Sequence, residues 1–367
     1  DALPDILKEN TMIWCVGPCV DETTEILTKR SWLSYLDLKE GDIVLTLNHK
    51  GFAEWQSCQK VNTYYGLHRM IHIKERGHNS LTTPHHRWLV GYTGSSRSGK
   101  RKTLGFRFVT TETMNKPNEF ILCASKVNNL PAEKKYPDAL VSLIGWYWAE
   151  GHNMSKGGIR IAQNEGYNAG LIRDSAFKLF GNPVIAFSYS KTNCEWQDWK
   201  RQGKTKCGIF NFNAISRKIL EQLAPDRIIS PDFICNLTQK QLELLIDISV
   251  KADGHERYRK KKSGKTVRDR VIVQGRLDRL NPLQMACQLA GLQSSIYKNG
   301  DKYTLQIFER NKLWLGQKKQ LNNRNEISYS GTVWCPTTEN GTWLARRNGT
   351  VYFTGNTYEQ PSKEFKY

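Results

Sequence analysis

The chain has 367 residues, beyond the size at which a single core keeps growing, so two or three domains are expected. Hydrophobic residues at 39% and charged residues at 24%, with every aromatic type represented, exclude a globally disordered chain. Lys and Arg number 54 against 35 Asp and Glu, a net charge of +19 that suits a polyanionic partner such as nucleic acid or, equally, a basic solvated surface. No apolar run is long enough to span a bilayer, and Asp1-Ala2-Leu3-Pro4-Asp5 lacks the basic start and apolar middle of a signal peptide, so the chain reads as cytoplasmic, with no membrane partner. The nine cysteines are scattered, without any C-x2-C pair, which argues against a disulfide framework and a structural zinc site.

Residues 19 to about 130 alternate short β-rich runs with turn residues: Glu25 to Thr28, Asp42 to Leu47, Met70 to Ile73, Arg87 to Val90 and Phe120 to Leu122. A polar, lysine-bearing stretch between Pro131 and Pro137 then leads into segments of helical period, and strand-like runs return after about residue 327. A helix-rich domain is therefore expected inside a β domain. Leu140, Leu143, Ile144, Tyr147 and Trp148 predict a helix over Asp138 to Glu150, closed by Gly151. The capping box Thr238-Gln239-Lys240-Gln241 opens a second helix, with Leu242, Leu245, Ile246, Ser249 and Val250 on one face and Gly254 at its end. Candidate strands follow each helix, Gly158 to Ile161 and Gly208 to Phe212 in one half, Val271 to Val273 and Tyr303 to Phe308 in the other.

The two helices end alike, in Ala149-Glu150-Gly151-His152 and Ala252-Asp253-Gly254-His255, with the acids 103 positions apart. Taken singly, each acid reads as an ordinary residue before a glycine cap. The duplication reverses that preference, because two carboxylates at the unfavourable ends of helix dipoles call for a shared cation. Magnesium held by one or two carboxylates and substrate phosphates suits phosphodiester cleavage.

Leu143 to Gly151 and Ile246 to Gly254 resemble the paired motifs of LAGLIDADG homing endonucleases, over roughly residues 137 to 310. The resemblance implies duplicated αββαββ halves, metal binding by Glu150 and Asp253, and a saddle of strands in the major groove of double-stranded DNA, the homing site in the host gene. Ile248 departs from the family in standing where a small helix-contact residue is usual, and Lys251 stands where an acid is common. The basic run of Arg257, Arg259, Lys260, Lys261 and Lys262, continued by Lys265, Arg268, Arg270, Arg276 and Arg279, is expected to contact phosphates. Lys298 and Lys302 are the candidates for a catalytic lysine.

Around this segment lie Cys19 to Leu27, Leu38 to Val44, Thr83-Pro84-His85-His86 and Val351 to Thr357. In that order they resemble the splicing blocks of inteins, which fold as an all-β horseshoe of the Hint type. The fold class expected is thus multi-domain: a Hint splicing domain with an inserted α+β LAGLIDADG domain. The resemblance divides the chain into an upstream host piece (1–18), splicing domain (19–136), endonuclease (137–310), splicing domain again (311–356) and a downstream host piece (357–367).

Cysteine is the best side-chain nucleophile near neutral pH, so Cys19 can convert the Pro18–Cys19 peptide bond into a thioester. The resemblance gives Thr83 and His86 the tetrahedral intermediate and the leaving nitrogen, with His86 as the acid. Thr357 would accept the acyl group, Cys335 would assist that transfer, and Asn356 would release the intein by cyclising through a five-membered ring. Splicing needs no cofactor, and the host segments are partners in cis. The penultimate histidine typical of inteins is Gly355 here, and a second one expected near Asn340 to Trp343 is absent, so slow cyclisation is expected.

Joining Thr11 to Pro18 directly to Thr357 to Lys363 gives a string that resembles the ATPase region of phage terminase large subunits, which implies a phage or prophage source. Gly94 to Lys100 has the glycine and lysine spacing of a phosphate-binding loop, but Arg101 replaces the Ser or Thr and no apolar strand directly precedes it, so no ATP binding is expected. A monomeric intein precursor with a DNA endonuclease is the leading reading. The rivals are a DNA-binding protein with decayed splicing and nuclease centres, and an ordinary DNA-processing enzyme with a β accessory domain.

Overall fold

A computed structural model describes residues 17–75, 77–95, 101–114, 116–155, 157–164, 166–180, 199–200, 206–260, 264, 266–315 and 324–356. The chain forms two compact units, one of residues 1–28, 32–123 and 312–367, the other of 29–31 and 124–311. None of the described helices is long and apolar enough to cross a membrane.

The first unit contains only strands among its described residues. Val20–Asp21, Arg324–Thr337, Lys60–Glu75 and His78–Thr82 close into an antiparallel barrel, to which both ends of the sequence contribute. Lys60–Glu75 and Arg324–Thr337 pair from Lys60 opposite Thr337 to Ile73 opposite Arg324. A second sheet runs Lys312–Trp314, Glu119–Leu122, Arg87–Ser95, Arg101–Thr110. Thr350–Gly355, Thr342–Arg347, Glu25–Leu27 and Trp32–Leu33 pair in succession, and Ile43–Leu47 pairs with Ala53–Ser57.

Strands His78–Thr82, Glu119–Leu122 and Thr342–Arg347 are buried along their whole length, so their sequences do not alternate. Their core is aromatic: Trp334 and Trp343 sit 5.0 Å apart between ring centroids, with Trp88 against Tyr352 at 5.5 Å. Gly94 and Ser95 pair with Lys102 and Arg101 near the tip of a hairpin, and residues 96–100 of the candidate phosphate loop lie outside the described residues.

The second unit repeats one pattern. Its first half runs α1 (Asp138–Glu150), strands Gly151–Asn153 and Ile159–Asn164, α2 (Tyr167–Phe180), then strands Trp199–Lys200 and Lys206–Phe212. After α3 (Ala214–Leu223) and α4 (Pro231–Cys235) the second half runs α5 (Gln239–Asp253), strands Gly254–Lys260 and Thr266–Gln274, α6 (Leu277–Leu289), then strands Gln293–Asn299 and Lys302–Phe308. In each half the strands lie in the order first, second, fourth, third.

Helices α1 and α5 lie side by side with like ends together. At their N-terminal ends Thr238 and Gln241 complete the capping box, and Gln241 Nε2 donates to the Tyr136 carbonyl at 2.7 Å and to Asp138 Oδ1 at 3.0 Å. At mid-length Gly145 makes room for Ile248, since a Cβ on Gly145 would come within 2.7 Å of Ile248 Cγ2. The small residue needed for close approach is thus supplied by α1 alone. Every residue of α1 from Leu140 to Trp148 is buried, so this helix is a core element without a solvent face there.

Candidate functional site

The first unit gathers residues from both ends of the 19–356 segment. Thr83 ends the buried strand His78–Thr82 by one residue, in a turn where the His86 amide donates to the Thr83 carbonyl at 3.0 Å. The Thr83 side chain faces the start of the barrel strand that follows Cys19. Its Oγ1 accepts the Cys19 amide hydrogen at 3.0 Å and donates to the Gly17 carbonyl at 3.2 Å. The Thr83 amide in turn donates to the Cys19 carbonyl at 3.0 Å. The nitrogen of the Pro18–Cys19 bond is therefore hydrogen-bonded to the Thr83 hydroxyl.

His86 is fully buried, and its Nε2 is hydrogen-bonded to Thr354 Oγ1, two residues before Asn356. Burial pushes the imidazole down to about 3, while the nearby Pro18 carbonyl opposes that shift and Arg87 adds to it. The ring is thus neutral at physiological pH, close to the Pro18 backbone.

Cys19 and Cys335 share a small buried cluster with Met70, Leu81 and Val333. Val20 pairs with Trp334 and Asp21 with Val333, so antiparallel register sets Cys335 opposite Cys19. Burial holds the Cys19 thiol far above its usual range, and Cys335 raises it further, which keeps it protonated until a base acts.

Asn356 is 1% exposed. Its amide donates to the Gly341 carbonyl at 3.0 Å, and its Nδ2 lies 3.3 Å from both the carbonyl and Oγ1 of Thr338. The Trp343 indole donates to the Gly355 carbonyl at 3.0 Å. A Cβ on Gly355 would meet the Arg87 carbonyl oxygen at 2.5 Å and its carbon at 2.8 Å. Position 355 thus leaves no room for a side chain. Thr357 lies outside the described residues.

In the second unit Glu150 and Asp253 end α1 and α5 at the same end of the helix pair. The glycines after them are extended, with φ −66° at Gly151 and −132° at Gly254, rather than left-handed caps. Each is a glycine for lack of space: a Cβ would reach the Tyr147 carbonyl at 2.3 Å or the Val271 carbonyl at 2.5 Å. The chain therefore passes straight from each acid into a strand.

Asp253 accepts from Gln274 Nε2, and burial raises its carboxyl against the opposing charges of Lys302, Arg279 and Arg227. Of the two candidate lysines, Lys302 is the one whose charge acts on Asp253, while Lys298 Nζ lies 6.0 Å from the Tyr303 ring centroid. Arg227 and Gln274 were not singled out by the sequence, because neither falls on a helix face or in a charge run. Among the described residues no three His, Cys, Asp or Glu side chains group closely enough to hold a metal. Two hard carboxylates still fit magnesium, whose remaining ligands in such sites are water and phosphate oxygens.

Of the basic run, Arg257 and Lys260 are exposed on strand Gly254–Lys260. Arg268 pairs with Glu256 and with Asp247 at 3.3 Å, and Arg270, 6% exposed, pairs with Asp247 at 3.0 Å. These two arginines serve the unit's own acids, so a phosphate would have to displace an existing ion pair. Lys261, Lys262 and Lys265 and the side chain of Arg259 lie outside the described residues.

No protein-family model matches the chain, and no curated protein does. Among solved structures it is similar to the homing endonuclease I-DmoI in complex with DNA and manganese, at 13% identity and a TM-score of 0.31, covering 46% of this chain and 89% of that one. It is also similar to the N-terminal LAGLIDADG domain of DUF199/WhiA, at 11% identity and a TM-score of 0.32, covering 49% and 80%. Full-length DUF199/WhiA from Thermatoga maritima aligns at 12% identity and a TM-score of 0.33, covering 49% of this chain and 54% of that one.

Proposed function

We propose that the chain is an intein precursor, with a Hint-type splicing domain in the first unit and a LAGLIDADG-type DNA-binding nuclease in the second. The observation that carries the splicing reading is the hydrogen-bonded path from Cys19 through Thr83 and His86 to Thr354, two residues before Asn356, which links the two ends of the segment. The division into 1–18, 19–136, 137–310, 311–356 and 357–367 follows from that reading.

In the first step the Cys19 sulfur attacks the Pro18 carbonyl carbon, the C–N bond breaks, and the thiol proton ends on the Cys19 nitrogen. A neutral imidazole suits this relocation, since His86 can accept a proton and return it. Thr83, already bonded to that nitrogen, holds the bond in place for attack. The Thr357 hydroxyl then displaces the thiol, giving a branched ester and returning a proton to sulfur, with Cys335 beside Cys19 to assist. Attack by the Asn356 side-chain nitrogen on its own carbonyl carbon breaks the 356–357 bond, and the freed Thr357 amine takes the acyl group from its own oxygen.

For the nuclease, Glu150 and Asp253 would hold magnesium, which when bound supplies an activated water and neutralises charge on the leaving oxygen. Arg257 and Lys260 support contact with DNA phosphates from the adjoining strand. The packing at Gly355 favours a second reading, a DNA-binding protein whose splicing has decayed, since the usual proton-transfer histidine has no space there.

Intact-mass spectrometry of the chain with longer native flanks, beside Cys19→Ala and Asn356→Ala, tests the proposal. A ligated host fragment and an excised 338-residue piece, both lost in the variants, are expected. A chain that stays whole for days in every form would sink the splicing reading. Retention of DNA in a mobility shift without magnesium-dependent cutting would leave binding alone.

A further inference from the structure

The joined ends of α1 and α5 carry two arginines that the paired-acid chemistry does not use. Arg227 donates from Nη1 to the carbonyl of Ala149, the residue before Glu150, at 3.3 Å. Its backbone and that of Asp226 are both left-handed, with φ 61° and 47°, a conformation that side-chain-bearing residues keep only when their surroundings enforce it. Asp226 is fixed by Arg276 at 2.7 Å, which also pairs with Asp278 at 2.6 Å.

Arg279 stands in the first turn of α6, and its carbonyl accepts from the Trp148 indole of α1 at 3.1 Å. Two residues of the last turn of α1 thus tether two arginines, and both arginines act on Asp253 of α5. Arg279 is 8% exposed, and its Nε is buried with no hydrogen-bond partner among the described residues. Burial lowers the guanidinium from its ordinary range, and its neighbours Arg227 and Arg276 add to that shift while Asp226 and Asp278 oppose it. A buried guanidinium with an orphaned N–H at a helix N-terminus, with Arg227 as a like-charged neighbour, is an arrangement that an oxyanion completes.

We propose that Arg279 and Arg227 form a phosphate site at the ends of α1 and α5, which receives a DNA phosphodiester beside Asp253. The DNA assignment rests on the nuclease reading given above, whereas the anion site itself does not. The guanidiniums supply fork-like donors to the non-bridging oxygens and balance charge that the acids alone would repel. The site also separates the roles of the basic residues. Arg257 and Lys260 track the backbone from outside, while Arg279 grips one phosphate from a buried position.

The test is thermal melting of the full chain against inorganic phosphate, with ionic strength held constant by chloride, for wild type, Arg279→Met and Arg227→Met. Phosphate is expected to raise the wild-type midpoint, and each substitution to remove most of that rise. Arg279→Met should also melt no lower than wild type without phosphate, because an unpaired buried charge is gone. In a mobility shift Arg279→Met should weaken DNA binding by about tenfold or more, as expected for losing a charged hydrogen bond. Equal responses to phosphate and chloride, or a full phosphate response in both variants, overturn the site. A phosphate response lost in the variants, with no DNA retained by wild type, supports the anion site and overturns the DNA assignment. If Arg279→Met fails to fold, Arg227→Met carries the same comparison.

Discussion

On the proposed splicing reading the obvious change is to place a histidine before Asn356, and the packing predicts that Gly355→His will make matters worse. A Cβ at Gly355 would lie 2.5 Å from the Arg87 carbonyl oxygen, 2.8 Å from its carbon and 3.0 Å from its Cβ. The first two are backbone atoms of strand Arg87–Ser95, which packs against Gly355, so no rotamer change relieves them. Replacing a strand glycine by alanine ordinarily gains roughly 0.5–1 kcal/mol, whereas overpacking costs about 1–3 kcal/mol. Gly355→Ala should therefore destabilise the first unit by about 1–2 kcal/mol, and Gly355→His by more, since the ring adds volume to the same gap. Urea denaturation of chains kept intact by Cys19→Ala and Asn356→Ala measures the cost. Intact mass of the corresponding active chains measures cyclisation, expected to be slower with Gly355→His. Unchanged urea midpoints together with faster cyclisation would show that the Arg87 contact is not the reason for the glycine.

Two further predictions concern packing and pH. Gly145→Ala should be neutral to destabilising by about 2 kcal/mol, because helix propensity gains about 1 kcal/mol against a steric cost of about 1–3 kcal/mol. In an Ile248→Ala background the same change should stabilise, so a double-mutant cycle showing strict additivity would contradict the Gly145–Ile248 contact. His78 and His86 are both held near 3 by burial, below their ordinary 6.5, so the unfolded chain binds protons that the folded chain refuses. Their contribution is complete above pH 6.5 and is lost as pH falls toward 3, about 2 kcal/mol per imidazole by pH 5. Urea midpoints at pH 7.5 and 5 should differ accordingly, with His78→Asn removing about half the difference. Equal midpoints at the two pH values would mean that neither ring is buried in the neutral form.

Local signals determined much of the second unit. Apolar spacing and an N-terminal capping box define α1 and α5 to the residue, because a helix is closed by contacts within four positions of sequence. The repeated Ala-acid-Gly-His ending marked the symmetric unit for the same reason: each half folds by its own short-range rules. In the first unit the short runs Glu25 to Leu27 and Ile43 to Leu47 were legible, but their partners were not. Barrel strands pair residues such as Val20 and Trp334, hundreds of positions apart, and no periodicity encodes such a pairing. The sequence could nominate Cys19, Thr83, His86 and Asn356 by order and type, yet only tertiary packing brings Cys19 against Thr83 and His86 against Thr354, two residues before Asn356. Arg227 lay beyond its reach, and for Arg279 and Gly355 the sequence showed the residue but not its surroundings. An orphaned guanidinium, a left-handed arginine and a gap too small for a Cβ are properties of neighbours distant in the chain, and tertiary packing alone creates them.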